Sequence, residues 1–127
     1  MKSNTNLLRK ELASVLFSAL TGTTDRIYYL NFPKPATYPY AVFELRELSS
    51  VDGRTSYTLE VDLVSQDIKV TNSMADAAQD ALDHDAVLTD KLFFHAYRAR
   101  RYAVVEEDKN IQRVHLQMDL YYYSKEE

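Results

Sequence analysis

Apolar residues recur at every second position over long stretches of this chain and at helical spacing over two shorter ones, and the two periods predict different elements. The clearest alternation sets Tyr57, Leu59, Val61 and Leu63 against Thr58, Glu60 and Asp62, a half-buried strand. Before it, Tyr40, Ala41, Val42, Phe43 and Leu45 make both faces apolar at the start of another strand, which turns polar towards Arg46 and Glu47. Such a strand is covered on both sides where it begins and exposed where it ends. Asp52-Gly53 supplies a turn between the two. Residues 38–66 therefore form one long β-hairpin, whose outer part is expected to reach beyond the core.

Leu8, Leu12, Val15, Leu16 and Ala19 predict a first helix over residues 5–20, with Asn4 or Thr5 as its N-cap and Gly22 as a left-handed residue that ends it. Residues 25–30 predict a short strand, and residues 31–39 hold all three prolines and form a connecting loop. Past the hairpin, residues 67–70 form a link, and Thr71, Asn72 and Ser73 offer caps for a second helix over 73–84. Met74, Ala77, Ala78, Ala81 and Leu82 are its apolar face, while Asp76, Asp80 and Asp83 line an acidic one. The last third predicts two strands, 92–105 and 111–123, around the acidic turn Glu106-Glu107-Asp108. In the final strand Val114, Leu116, Met118, Leu120 and Tyr122 alternate with Arg113, His115, Gln117, Asp119 and Tyr121. The order predicts an α+β fold: a mainly antiparallel sheet with a long β-hairpin and two helices packed on one face, in a single domain over residues 1–127.

Composition narrows the function. At 127 residues, 46% apolar and 27% charged, the chain can bury one core, and it carries no internal repeat of the solenoid kind. A net charge of −4 argues against coating nucleic acid, which requires many basic groups to neutralise phosphate. The absence of cysteine excludes disulfides, thiolate metal sites and a cysteine nucleophile. Apolar runs are far shorter than a membrane span, so a soluble, unexported protein is expected. Ten tyrosines and no tryptophan suit strands and partly wet interfaces.

No catalytic constellation emerges. His84, His95 and His115 lack metal-ligand spacing, the chain's two glycines cannot build a phosphate-cradling loop, and no Gly-x-Ser-x-Gly elbow occurs. The expectation is a protein that is not an enzyme and needs no metal or cofactor. The densest charge cluster is Arg98, Arg100 and Arg101, interleaved with Tyr97 and Tyr102. This pattern can stack on bases and pair with phosphates. Strict alternation, however, puts Arg98 and Arg100 on one strand face and Arg101 on the other, leaving no continuous groove. Plain exposure to solvent and pairing with the Asp76, Asp80 and Asp83 face of a neighbouring subunit are the alternative expectations.

The layout resembles the small tail completion, or tail terminator, proteins of long-tailed bacteriophages and prophages. The resemblance is carried by the leading helix, Arg26-Ile27-Tyr28, a proline loop, Tyr38-Pro39-Tyr40-Ala41-Val42-Phe43-Glu44-Leu45, the strand ending in Val64-Ser65-Gln66, an alanine-rich helix and the late Arg113-Val114-His115-Leu116-Gln117-Met118-Asp119-Leu120-Tyr121 strand. It spans nearly the whole chain and includes no catalytic signature. It implies a structural virion protein at the neck of the tail, assembled in the host cytoplasm. As a hexameric ring, it would cap the head-proximal end of the tail tube, stop tube polymerisation and provide the head-joining interface. Its partners would be the tube protein and a head completion or connector protein, and DNA would pass through the ring without sequence-specific binding. The family supplies no invariant functional residues to transfer.

With no other chemistry in the chain, the hairpin tip, Glu47, Asp52, Gly53 and Arg54, is the expected assembly contact, joined by Arg98, Arg100, Arg101, Asp76, Asp80 and Asp83. Two other readings remain open: a different neck component of the same size and symmetry, and a cellular α+β module that binds nucleic acid through Tyr97, Arg98, Arg100 and Tyr102.

Overall fold

The structure, a computed structural model, describes residues 5–51, 54–83, 87–88 and 92–124. In chain order the elements are α1 (Thr5–Leu20), β1 (Ile27–Tyr29), β2 (Tyr40–Val51), β3 (Arg54–Ser65), α2 (Ile68–Leu82), β4 (Val87–Leu88), β5 (Leu92–Val104) and β6 (Gln112–Ser124). The strands form one six-stranded sheet in the order β1-β2-β3-β6-β5-β4. Every pairing is antiparallel except β1 with β2. This is the α+β arrangement expected from the chain order.

The core lies between the sheet and the two helices. Leu8, Leu12, Leu16 and Leu20 recur every fourth residue along α1, and all are buried. Met74, Ala75, Ala78 and Leu82 are buried on α2, whose small side chains let it lie close to the sheet. Against them stand the predicted apolar faces, Tyr57, Leu59, Val61 and Leu63 of β3 and Val114, Leu116, Met118, Leu120 and Tyr122 of β6, every one buried. β2 begins covered on both sides, with Tyr40, Ala41 and Phe43 buried, and ends exposed at Arg46 to Ser49.

Local structure departs from expectation in four places. Gly22 is not left-handed, and a Cβ there would meet nothing within 4 Å. α1 instead ends because Thr23 and Thr24 both donate their N–H to the Leu20 carbonyl, at 2.8 Å each. Among the described residues Leu30 is left-handed, at φ 68°, and it terminates β1. α2 begins at Ile68, five residues ahead of the expected start, because Asp67 caps it: its carboxylate accepts the Lys69 N–H at 2.9 Å. A buried node holds that start in place. Ser65 Oγ lies 2.6 Å from Thr71 Oγ1, which also donates to the Gln112 carbonyl at 3.1 Å and so ties β3, α2 and β6 together. His84, where the second helix was expected to end, lies outside the described residues.

The fourth departure concerns the hairpin. It is not a free arm, because β6 pairs with β3 from Thr55, opposite Tyr122, to Ser65, opposite Gln112. Thr55, near the tip, is buried. The 13 residues of β6 are long enough to accompany the 12 of β3, so the arm is drawn into the sheet.

Candidate functional site

Among the described residues one face of the sheet carries no helix, and strand register sets what it displays. From β2 through β3 and β6 to β5, one transverse row reads Glu44, Glu60, Gln117, Arg100, and the next reads Val42, Asp62, His115, Tyr102. Cross-strand neighbours of this kind stand near enough to interact directly. The β2 and β3 side of the face is acidic. The β5 side is aromatic and basic.

The acidic side is a connected network. His115 Nδ1 lies 2.7 Å from Asp62 Oδ1. Since a carboxylate only accepts, Nδ1 carries the proton. Arg113 donates from Nη1 to Asp62 Oδ2 at 3.3 Å and from Nε to Glu106 at 2.6 Å. Burial alone would lower the Arg113 pKa, but the bond to Glu106 and the charge of Asp62 outweigh it and hold the guanidinium above its ordinary value. Glu60 meets His115 Nε2 at 3.4 Å on one oxygen and accepts from Arg46 at 3.2 Å on the other. Directly opposite Glu60 stands Glu44. Burial first, and then its hydrogen bond and like charge with Glu60, raise the Glu44 carboxyl above the ordinary glutamate range.

Beside these carboxylates an apolar wall closes a pocket of about 170 Å³, lined by Leu30, Phe32 and Val42 together with Glu44, Glu60, Asp62 and Arg113. The proline loop builds that wall. Phe32 and Tyr38 pack on Tyr40 with ring centroids 4.7 and 5.7 Å away, and the Thr24 hydroxyl donates to the Pro39 carbonyl at 2.8 Å. Burial pushes the Tyr40 phenol up, while the Arg113 charge pulls the other way.

Across the face, Tyr97 and Tyr102 are nearly half exposed, Tyr97 stacks near His95, and the Arg54 guanidinium sits 5.1 Å over the Tyr121 ring. Among the described residues no group of three or more His, Asp or Glu side chains is placed to hold a metal ion. No described helix is long and apolar enough to cross a membrane.

The residues expected to form a contact do not form one patch. The expected separation of the arginines is wrong, because β5 carries an irregularity between Arg98 and Arg100 that shifts the register by one residue. Arg98 opposes Met118 and Arg101 opposes Leu116, so both face the helices, and Arg100, opposite Gln117, faces the open side. Arg101 is then engaged within its own chain. It bonds Asp76 at 2.8 Å, Gln79 at 3.1 Å and the Asn72 carbonyl at 3.4 Å, fastening α2 to β5. Asp83 caps α2 and accepts the Arg98 N–H at 3.3 Å. Two of the three acids thus serve the fold, while Asp80 is exposed. Glu47 accepts from the Tyr57 hydroxyl at 3.3 Å, and Asp52 and Gly53 lie outside the described residues. Sequence reasoning left Glu44, Glu60, Asp62, Arg113 and His115 unassembled. Glu60, Asp62, Arg113 and His115 stood on polar strand positions and Glu44 in a strand read as apolar on both faces at its start, but their convergence depends on β6 docking against β3.

No protein-family profile matches the sequence, and no curated protein matches it. Among solved structures, the fold is shared with a chain of the "virion of native gene transfer agent (GTA) particle" at 20% identity and a TM-score of 0.59. That similarity covers 86% of this chain and 84% of the other.

Proposed function

We propose that this chain is a structural protein of a phage-like virion, and within it the tail terminator. In that role it caps the head-proximal end of the tail tube as a ring, ends tube polymerisation and provides the surface that joins the head. The observation that carries the reading is a fold shared over 86% of the chain with a protein of a gene transfer agent virion. The resemblance in layout to tail completion proteins points the same way. No catalytic activity and no cofactor belong to this reading. The partners are further copies of the chain, six in the family resembled, the tube protein and a head-side connector, at the neck of the particle. A mildly acidic chain, with net charge −4, suits a passage through which DNA slides without being held.

Deleting the gene from its phage or prophage is the test. Tails of uncontrolled length that fail to join heads are the expected result. Normal tails with heads attached would overturn the reading, and normal tails without heads would favour a different neck component. A nucleic-acid-binding module is the second reading, favoured by Tyr97, Tyr102 and Arg100 sharing the open face. Salt-sensitive binding of DNA oligonucleotides by the purified protein would support it.

A further inference from the structure

The outer edge of β5 is covered only along its first part. β4 pairs with it at Phe93 and Phe94, and Asp83 accepts the Arg98 N–H. From Arg101 onward no described strand lies beside it. The direction of its backbone groups follows from the far side of the sheet. Ala41 donates its N–H to the Arg26 carbonyl, towards β1, so Tyr40, Val42 and Glu44 turn theirs to β3. Carried through the paired rows, this alternation turns Arg113 and His115 towards β5, and Val104 and Tyr102 towards β6. Arg101 and Ala103 therefore point their N–H and C=O groups outward, where no described residue takes them. Unpaired edges are templates for another strand.

The sequence along this edge is complementary to itself. Tyr102-Ala103-Val104-Val105 carries no charge and no proline, with Tyr102 46% exposed and Val105 97%. Arg98, Arg100 and Arg101 precede it, and Glu106, Glu107 and Asp108 follow. Laid antiparallel to a second copy with Ala103 opposite Ala103, Tyr102 meets Val104, Arg101 meets Val105 and Arg100 meets Glu106. The two Ala103 residues, both facing outward, exchange a pair of backbone hydrogen bonds. The Arg100 side chain has no ion pair or hydrogen bond with any described residue, so the acidic turn of a second copy gives it a partner.

We infer that two copies of this chain join β5 to β5 about a two-fold axis through Ala103, extending one sheet across both. The axis stands normal to the sheet, so both open faces lie on the same side. α2 packs mainly on β3 and β6, which leaves the strand edge clear of it. Pairing stops beyond Arg100, because Asp83 covers Arg98 and the partner's chain leaves the strand where Glu106 turns to Arg113 on the open face. Val105 of the partner arrives on the helix side, at a shallow recess lined by Asn72, Arg98, Arg101, Ala103 and Val114. The contact is isologous and goes beyond the ring reading, which calls for a heterologous one.

The test uses the full-length protein, followed by sedimentation and light scattering, and wild type is expected to dimerise. Ala103→Pro removes an outward N–H and no bond to β6, so the monomer keeps its fold, which circular dichroism checks, while association weakens about tenfold or more. Val105→Lys changes an exposed side chain and sets a cation beside Arg101 of the partner, and it weakens association likewise. Because the chain has no cysteine, Ala103→Cys reports the register: oxidation joins two copies through one disulfide, across a Cα separation of about 5.5 Å that such a bond can span. Wild-type protein that stays monomeric at every concentration, a dimer that withstands both Ala103→Pro and Val105→Lys, or a dimer that Ala103→Cys does not cross-link would each overturn the inference. None of these results touches the ring reading, which the gene deletion decides, and normal tails there would leave the dimer standing.

Discussion

Glu44 and Glu60 show what a single cross-strand pair can do. Two carboxylates meet directly across β2 and β3, and the folded state holds the Glu44 proton more tightly than the unfolded chain does. The stability linked to that proton is complete below the ordinary glutamate value of 4.5 and is lost as pH rises through the raised folded value. Glu44→Gln removes this loss. Urea denaturation should show the variant more stable than wild type near neutral pH by a few tenths of a kcal/mol, in the range of like-charge pairs on a sheet, up to about 1 kcal/mol. In acid, where Glu44 is protonated in both states, the difference should vanish. Gly22 makes the opposite point about residue-level reasoning. A glycine two residues past a helix suggests a left-handed cap, yet its φ is not positive and space for a Cβ is open. Gly22→Ala should therefore raise stability by about 0.4–1 kcal/mol through the unfolded state, measured as a higher denaturation midpoint.

Between elements, short polar side chains hold the packing in register. Thr71 is fully buried and bonds Ser65 and the Gln112 carbonyl, so the start of α2 is joined to both central strands by one hydroxyl. Thr71→Val keeps the shape and removes the donor to the part-buried Gln112 carbonyl, at a cost of about 1–3 kcal/mol, read from urea denaturation. Arg101 fastens α2 to β5 through Asp76, whose carboxylate is two-thirds exposed, and Asp76→Ala should cost no more than about 1 kcal/mol, with salt reducing the difference. These element contacts explain which parts of the candidate site were legible. Alternation alone assigned Glu60, Asp62, Arg113 and His115 to polar faces. The placement of Arg98, Arg100 and Arg101 was misread because period-two counting assumes an unbroken strand, and one extra residue in β5 exchanges the faces beyond it. The early start of α2 was hidden because Asp67 competes with Thr71, Asn72 and Ser73, all of them capping residues.

For the molecule as a whole, both helices and the central strands share one buried cluster that runs from Leu8 to Tyr122. Helix and sheet should then unfold together, so far-ultraviolet dichroism and the near-ultraviolet signal of the buried tyrosines should give coincident melting curves. The α+β class, both helices, the hairpin and the buried faces of β3 and β6 follow from local periodicity, since apolar spacing is a property of the chain itself. The same periodicity is silent about which strands lie side by side. Drawing the hairpin into a sheet flanked by β6, turning Arg101 inward and Arg100 outward, and setting Glu44 and Arg100 at opposite ends of one row all depend on strand order, register and one bulge. Those are choices among non-local pairings, made by the packing of the whole core, and no window of sequence contains them.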